Sequence, residues 1–241
     1  MTKKKRNPLE GKHVAIVAMG RSHVNFTVSV ANGLHFDEVW VINAMALMLK
    51  HDRAFMLDPA SRFLDGDAAG SMTENMRDYL KAPTSAAPIY TCELDDRCPT
   101  LELYPLQNVL DKVKFPYFNS TVSYAMAYAI YQEVRSVTIY GADYTYARIK
   151  NFAEAGRACL EYWIAVARLS GISVSVAPES SLLDNSSHPT EKLYGYHRLE
   201  DPMAVVNRDG NFAIGPASQL KEEIAVWEEM QKLIRPNDPL D

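Results

Sequence analysis

An α/β fold, Rossmann-like with a mostly parallel sheet flanked by helices, follows from two observations on the sequence. Short apolar runs without polar alternation recur along the chain, as expected of strands buried on both faces. Segments with helical spacing of apolar residues separate them, and that alternation implies parallel pairing through crossover connections.

The elements follow in order. His13–Met19 (HVAIVAM) is a strand closed by Gly20, and Glu38–Asn43 (EVWVIN) repeats the pattern. Arg53–Leu57 (RAFML) is a third strand, closed by Asp58-Pro59. Met72–Lys81 is polar enough for a surface helix. Ala82–Pro116, rich in Pro, Asp and Thr, reads as an irregular excursion over the sheet. Ser120–Glu133 is a buried helix, with Val122, Ala125, Met126, Ala129 and Ile130 at helical spacing. Val137–Tyr140 (VTIY) is the next strand and carries Gly141-Ala142-Asp143-Tyr144 at its carboxyl end. Glu154–Ser170 repeats the helical pattern through Ala158, Tyr162, Ala165, Val166 and Leu169, and Ile172–Val176 (ISVSV) is a further strand.

Weak periodicity makes Ser180–Asp209 a lid or acceptor-side loop with a short helix. Gln219–Leu233 is an amphipathic helix with Leu220, Ile224, Trp227 and Leu233 on one stripe. It packs on the domain or serves a partner subunit of a homo-oligomer. Three regions result: a basic flexible arm (1–12), a Rossmann-like nucleotide-binding domain (13–178), and a lid or acceptor loop with a C-terminal helix (179–241).

Composition narrows the function classes. The chain has 241 residues, 47% of them hydrophobic and 23% charged, which excludes a mostly disordered protein. No apolar run approaches the roughly 18 residues of a membrane span, and no signal-peptide apolar region is evident near Met1. Cys92, Cys98 and Cys159 lack CxxC spacing, and reduced thiols in the cytoplasm are expected. A net charge of −5 gives no general grip on nucleic acid, although Lys3-Lys4-Lys5-Arg6 forms a local basic arm.

The residues suited to chemistry cluster at strand ends, where ligands bind in open α/β sheets. Gly20-Arg21-Ser22 offers close backbone approach, amides and a hydroxyl to phosphate or ribose. The second and third glycines of the dinucleotide fingerprint are absent, as is the Walker GK[ST] ending. Asn43 and Asp58 end the next two strands, where turn capping accounts for either residue taken alone. Ser120 or Thr121 caps the long helix, whose amino end attracts phosphate. Asp143 suits a ribose or substrate hydroxyl, while Tyr144 and Tyr146 suit a leaving phosphate. The six histidines show no HxH or HExxH spacing, and neither a metal nor another cofactor is expected.

These pieces, in this order, resemble the bacterial sialyltransferase-like glycosyltransferase superfamily and the related phage and archaeal domain of unknown function, which is pterin-pyrophosphokinase-like. Val17-Ala18-Met19-Gly20-Arg21-Ser22 corresponds to the family's Gly-Asn-Gly-Pro-Ser turn, and Val41-Ile42-Asn43 to its second-strand asparagine. Phe55-Met56-Leu57-Asp58-Pro59 corresponds to its third-strand Asn-Pro, and Thr121 through Asp143 to its serine-headed helix and Gly-Ile-Asp strand end. The resemblance covers roughly residues 13–176.

It implies a nucleotide-sugar donor held over Gly20, Arg21, Ser22, Asn43, Asp58, Ser120, Thr121 and Asp143, with metal-independent transfer to an acceptor hydroxyl. The late-segment histidine that serves as base in the family maps to His188, and an imidazole titrating near about 6.5 suits that work. Thr145 stands where the family places a phosphate-holding tyrosine, which moves that role to Tyr144 or Tyr146. The phage resemblance extends the acceptor to a hydroxymethylated pyrimidine in DNA, in a host cytoplasm, flipped out or presented single-stranded. Pyrophosphoryl transfer to a pterin-like alcohol, with Mg²⁺ on Asp58 and Asp143, is the alternative chemistry. A non-catalytic nucleotide-binding module is the alternative class.

Overall fold

The computed structural model describes residues 7–82, 87–145, 150–208 and 211–234. Its centre is a seven-stranded sheet with all neighbours parallel. The chain enters through β1 (His13–Val17), α1 (Val24–Ala31) and β2 (Glu38–Ile42), then β3 (Arg53–Phe55), α2 (Ser61–Leu64) and α3 (Thr73–Lys81). It continues through β4 (Ile89–Thr91), β5 (Leu101–Leu103), α4 (Leu106–Val113) and α5 (Thr121–Tyr131). β6 (Ser136–Tyr140), α6 (Lys150–Leu169) and β7 (Ser173–Val176) complete the Rossmann-like layer, in the strand order β5-β4-β3-β2-β1-β6-β7.

Both faces of the sheet are covered, which is why its strands read as continuous apolar runs. Val14, Ile16, Trp40, Ile42, Val137 and Ile139 point to one core, with α5 and α6 supplying Met126, Leu160 and Trp163. The alternate residues Ala15, Val17, Val41 and Ala54 point to the other, against Phe26, Met76 and Leu80. α5 is buried nearly all round, from Val122 to Ile130, as its apolar composition requires.

Three expectations are corrected. The stretch taken as an irregular excursion over the sheet instead extends its edge, because β4 and β5 pair parallel there and α4 follows. Each strand is only three residues long, too short for periodicity to mark. The last residues of the arm, 7–12, are packed: Leu9 is buried in the core and the Gly11 amide donates to the Glu133 carbonyl. Lys3–Arg6 lies outside the described residues. The late loop ends in a strand, β8 (Met203–Arg208), which pairs antiparallel with β9 (Asn211–Pro216).

α7 (Lys221–Ile234) rests on that hairpin through Ile224, against a small core of Ala204, Val206 and Leu220. Its stripe is shorter than the sequence implies, since Leu233 is 81% exposed. Among the described residues no helix is long and apolar enough to cross a membrane.

Candidate functional site

The strand order reverses between β1 and β6. Their carboxyl ends part there, at the kind of switch point where open α/β sheets hold ligands. A cavity of about 610 Å³ lies at this edge, lined by Gly20, Asn43, Asp58, Ser120, Thr121, Asp143 and Tyr144 among others. Seven residues marked from the sequence therefore face one space.

Its floor is a staple between the β1 and β6 ends. Asp143 is buried and accepts from the Ser22 amide at 2.7 Å and from the Ser22 hydroxyl. The Ser22 hydroxyl in turn accepts from the Gly141 amide at 2.8 Å, and the Gly20 amide donates to the Gly141 carbonyl at 2.7 Å. A Cβ on Gly20 would stand 2.6 Å from both Asp143 Oδ2 and the Gly141 carbonyl oxygen, so the glycine is required by the staple itself. Gly141, at φ +68°, is held as tightly, with the Ala18 carbonyl 2.0 Å from where a Cβ would lie. Ser22 is fully buried with its hydroxyl engaged in this staple and does not line the cavity. Arg21 is exposed and lies outside it as well.

One wall comes from the ends of β2 and β3. Asn43 adopts a left-handed conformation (φ 51°), which asparagine tolerates better than most residues. Its Oδ1 is buried without a hydrogen-bond partner. An unmatched buried acceptor costs about 1–3 kcal/mol. Asp58 is ion-paired with Arg62, one helical turn on, and both line the space.

The opposite wall is the amino end of α5. Ser120 caps the helix, its side chain accepting from the Ser123 amide, which leaves other first-turn amides directed outward. The Tyr144 hydroxyl lies 3.1 Å from Ser120 Oγ. Tyr144 itself is left-handed (φ 51°), a rare state for an aromatic residue. Phe118 adds an apolar surface to the cavity, stacked on Tyr124 at 4.3 Å and on Trp163 at 5.1 Å. Burial pushes the Tyr124 phenol above its ordinary range, which keeps it a neutral donor.

Phe118, Asn119, Arg62 and Phe152 also line the cavity and were not marked from the sequence. The aromatic run before Ser120 was the available signal for the first two. Tyr146 lies outside the described residues. His188 faces a second cavity of about 540 Å³ beside the hairpin and α7. There its Nδ1 meets Thr190 Oγ1 at 2.9 Å, its Nε2 lies 3.4 Å from Glu228, and its ring packs edge-on against Trp227. Among the described residues no group of three or more His, Cys, Asp or Glu side chains gathers as a metal ion would require.

No protein-family model matches this chain. No curated protein matches it. Two solved structures resemble it, both of the sialyltransferase CstII from Campylobacter jejuni. The complex with the substrate analogue CMP-3FNeuAc is 18% identical with a TM-score of 0.46, over 72% of this chain and 83% of that one. The complex with cytidine-5′-monophosphate is 17% identical with a TM-score of 0.45, over 73% and 84%. Likeness at this level assigns neither substrate nor activity.

Proposed function

We propose that the protein is a nucleotide-sugar-dependent glycosyltransferase that moves a sugar to an acceptor hydroxyl. The carrying observation is the composition of the cavity at the β1/β6 switch point. The α5 amino end, with the Ser120 and Tyr144 hydroxyls, shares one space with Asn43, Asp58 and Phe118. Neutral donors at a helix amino end suit a phosphate.

In the proposed reaction the acceptor oxygen attacks the anomeric carbon as the bond from that carbon to the phosphate oxygen breaks. The bonding pair leaves with the phosphate, and the acceptor proton passes to a base. Ser120, Tyr144 and the first amides of α5 would stabilise the departing charge, which is the larger part of such catalysis. Asp58 and Asp143 are already engaged, by Arg62 and by Ser22. That pairing favours a metal-independent reaction over pyrophosphoryl transfer with Mg²⁺ on the same carboxylates. His188, which the family resemblance implies as that base, lines the second cavity instead of this one.

The test is a panel of UDP-, GDP-, ADP- and CMP-sugars, with and without EDTA. Free sugars and hydroxymethylated DNA serve as acceptors, and nucleotide release and acceptor mass are followed. Release with one donor, unaffected by EDTA, is the expected result. Nucleotide binding with no release from any donor would identify a non-catalytic module and overturn the proposal.

A further inference from the structure

Two backbone choices beside the cavity run against local preference, and they meet at one contact. Gly156 sits in the interior of α6, where glycine is the least favourable residue short of proline. It lies on the buried face, in step with Ala153, Leu160, Trp163 and Ala167, where a side chain would ordinarily fill the core. What fills the space is the Tyr144 ring. A Cβ on Gly156 would stand 2.5 Å from Tyr144 Cε1 and 3.1 Å from its Cδ1. Tyr144 in turn holds its left-handed backbone and brings its hydroxyl to 3.1 Å from Ser120 Oγ. Strained residues of this kind gather at functional sites when their surroundings hold them there.

We propose that Gly156 is a positioning residue. By carrying no side chain it lets the Tyr144 ring lie against α6 and set its hydroxyl beside Ser120 at the amino end of α5. The part concerning a ligand rests on the nucleotide reading above; the part concerning the ring does not. A methyl group at position 156 meets the far end of a side chain rather than backbone, so the ring is what yields. Carbon atoms rest at about 3.5–4.0 Å, so a contact of 2.5 Å displaces the ring by about 1 Å. A displacement of about 1 Å in an organised site costs on the order of 100-fold in rate.

The experiment uses two readouts, the first on wild type and Gly156→Ala only, the second on these together with Tyr144→Phe and the double variant. One is the fluorine-19 resonance of 3-fluorotyrosine placed at position 144, which requires no ligand. The other is the dissociation constant of each of the four nucleoside 5′-monophosphates. Gly156→Ala is expected to move the resonance and to weaken the monophosphates that bind by about ten-fold or more, as Tyr144→Phe does. The double variant is then no weaker than Tyr144→Phe alone.

An unmoved resonance overturns the proposal, as does unchanged affinity in Gly156→Ala where Tyr144→Phe loses affinity. If wild type binds none of the four, the nucleotide reading fails while the resonance still decides where the ring is held. Should Gly156→Ala fail to fold, the same change is made in Tyr144→Ala. A higher melting temperature than Tyr144→Ala alone supports the contact, and a lower one refutes it.

Discussion

Replacing Asp143 tests the staple on which the cavity floor depends. Its carboxylate receives two hydrogen bonds from Ser22, one from the amide at 2.7 Å and one from the hydroxyl, in a buried setting at the cavity floor. A hydrogen bond to a charged group contributes about 1.5–3 kcal/mol, so Asp143→Ala is expected to remove about 3–6 kcal/mol. Domains of this kind hold roughly 5–15 kcal/mol in all. Ser22→Ala loses the shared hydroxyl and also strips the Gly141 amide of its acceptor. Urea unfolding of both single variants and the double variant isolates the shared bond as a coupling energy, expected at about 1.5–3 kcal/mol. A coupling below about 0.5 kcal/mol, the limit for independent sites, would refute the staple.

Three further outcomes are expected. Burial opposes ionisation of Glu38, but hydrogen bonds from Arg53 and Trp40 outweigh it and hold the carboxyl below its usual 4.5. Stability from this group is thus complete above pH 4.5 and lost as pH falls through the depressed folded value. Acid titration of unfolding should show that slope in wild type and not in Glu38→Gln, which also loses about 3–5 kcal/mol at neutral pH by stranding Arg53. Ser120→Ala removes the α5 cap, at a cost of about 1 kcal/mol by thermal unfolding, together with the partner of the Tyr144 hydroxyl. His188→Ala should leave nucleotide affinity within about two-fold by calorimetry, because His188 stands in the second cavity; a larger loss would join the two cavities in one site.

What was legible in the sequence is what parallel sheets make local. A strand covered on both faces is largely apolar, so β1, β2, β3 and β6 announce themselves, and the residue at which each run stops lies at the edge where open α/β sheets hold ligands. That is why Gly20, Asn43, Asp58 and Asp143 could be marked and why they share one cavity. Longer-range facts left no local trace. Ser22 resembles a phosphate-binding serine until Asp143 is seen beside it. β4 and β5 are too brief for a pattern, and the segment holding His188 carries no signal of which cavity it will face. The pairing of Gly156 with Tyr144 depends on how α6 lies against the β6 loop, which no spacing rule encodes.

The switch point also has a consequence for the making of the protein. Ser22 and Asp143 are 121 residues apart, yet each completes the other. On the ribosome, β1 can pair with β2 soon after both emerge, while its other edge waits for β6. At about 5–20 residues per second that wait is roughly 6–24 s. Through it a bare strand edge, an apolar face and the unmatched Ser22 amide stand open together. A nascent chain stalled before Gly141 would carry half a cradle and a pairing edge for any passing strand. Synthesis of the β6 turn is therefore the moment at which the candidate cavity is completed and the open edge of β1 is covered.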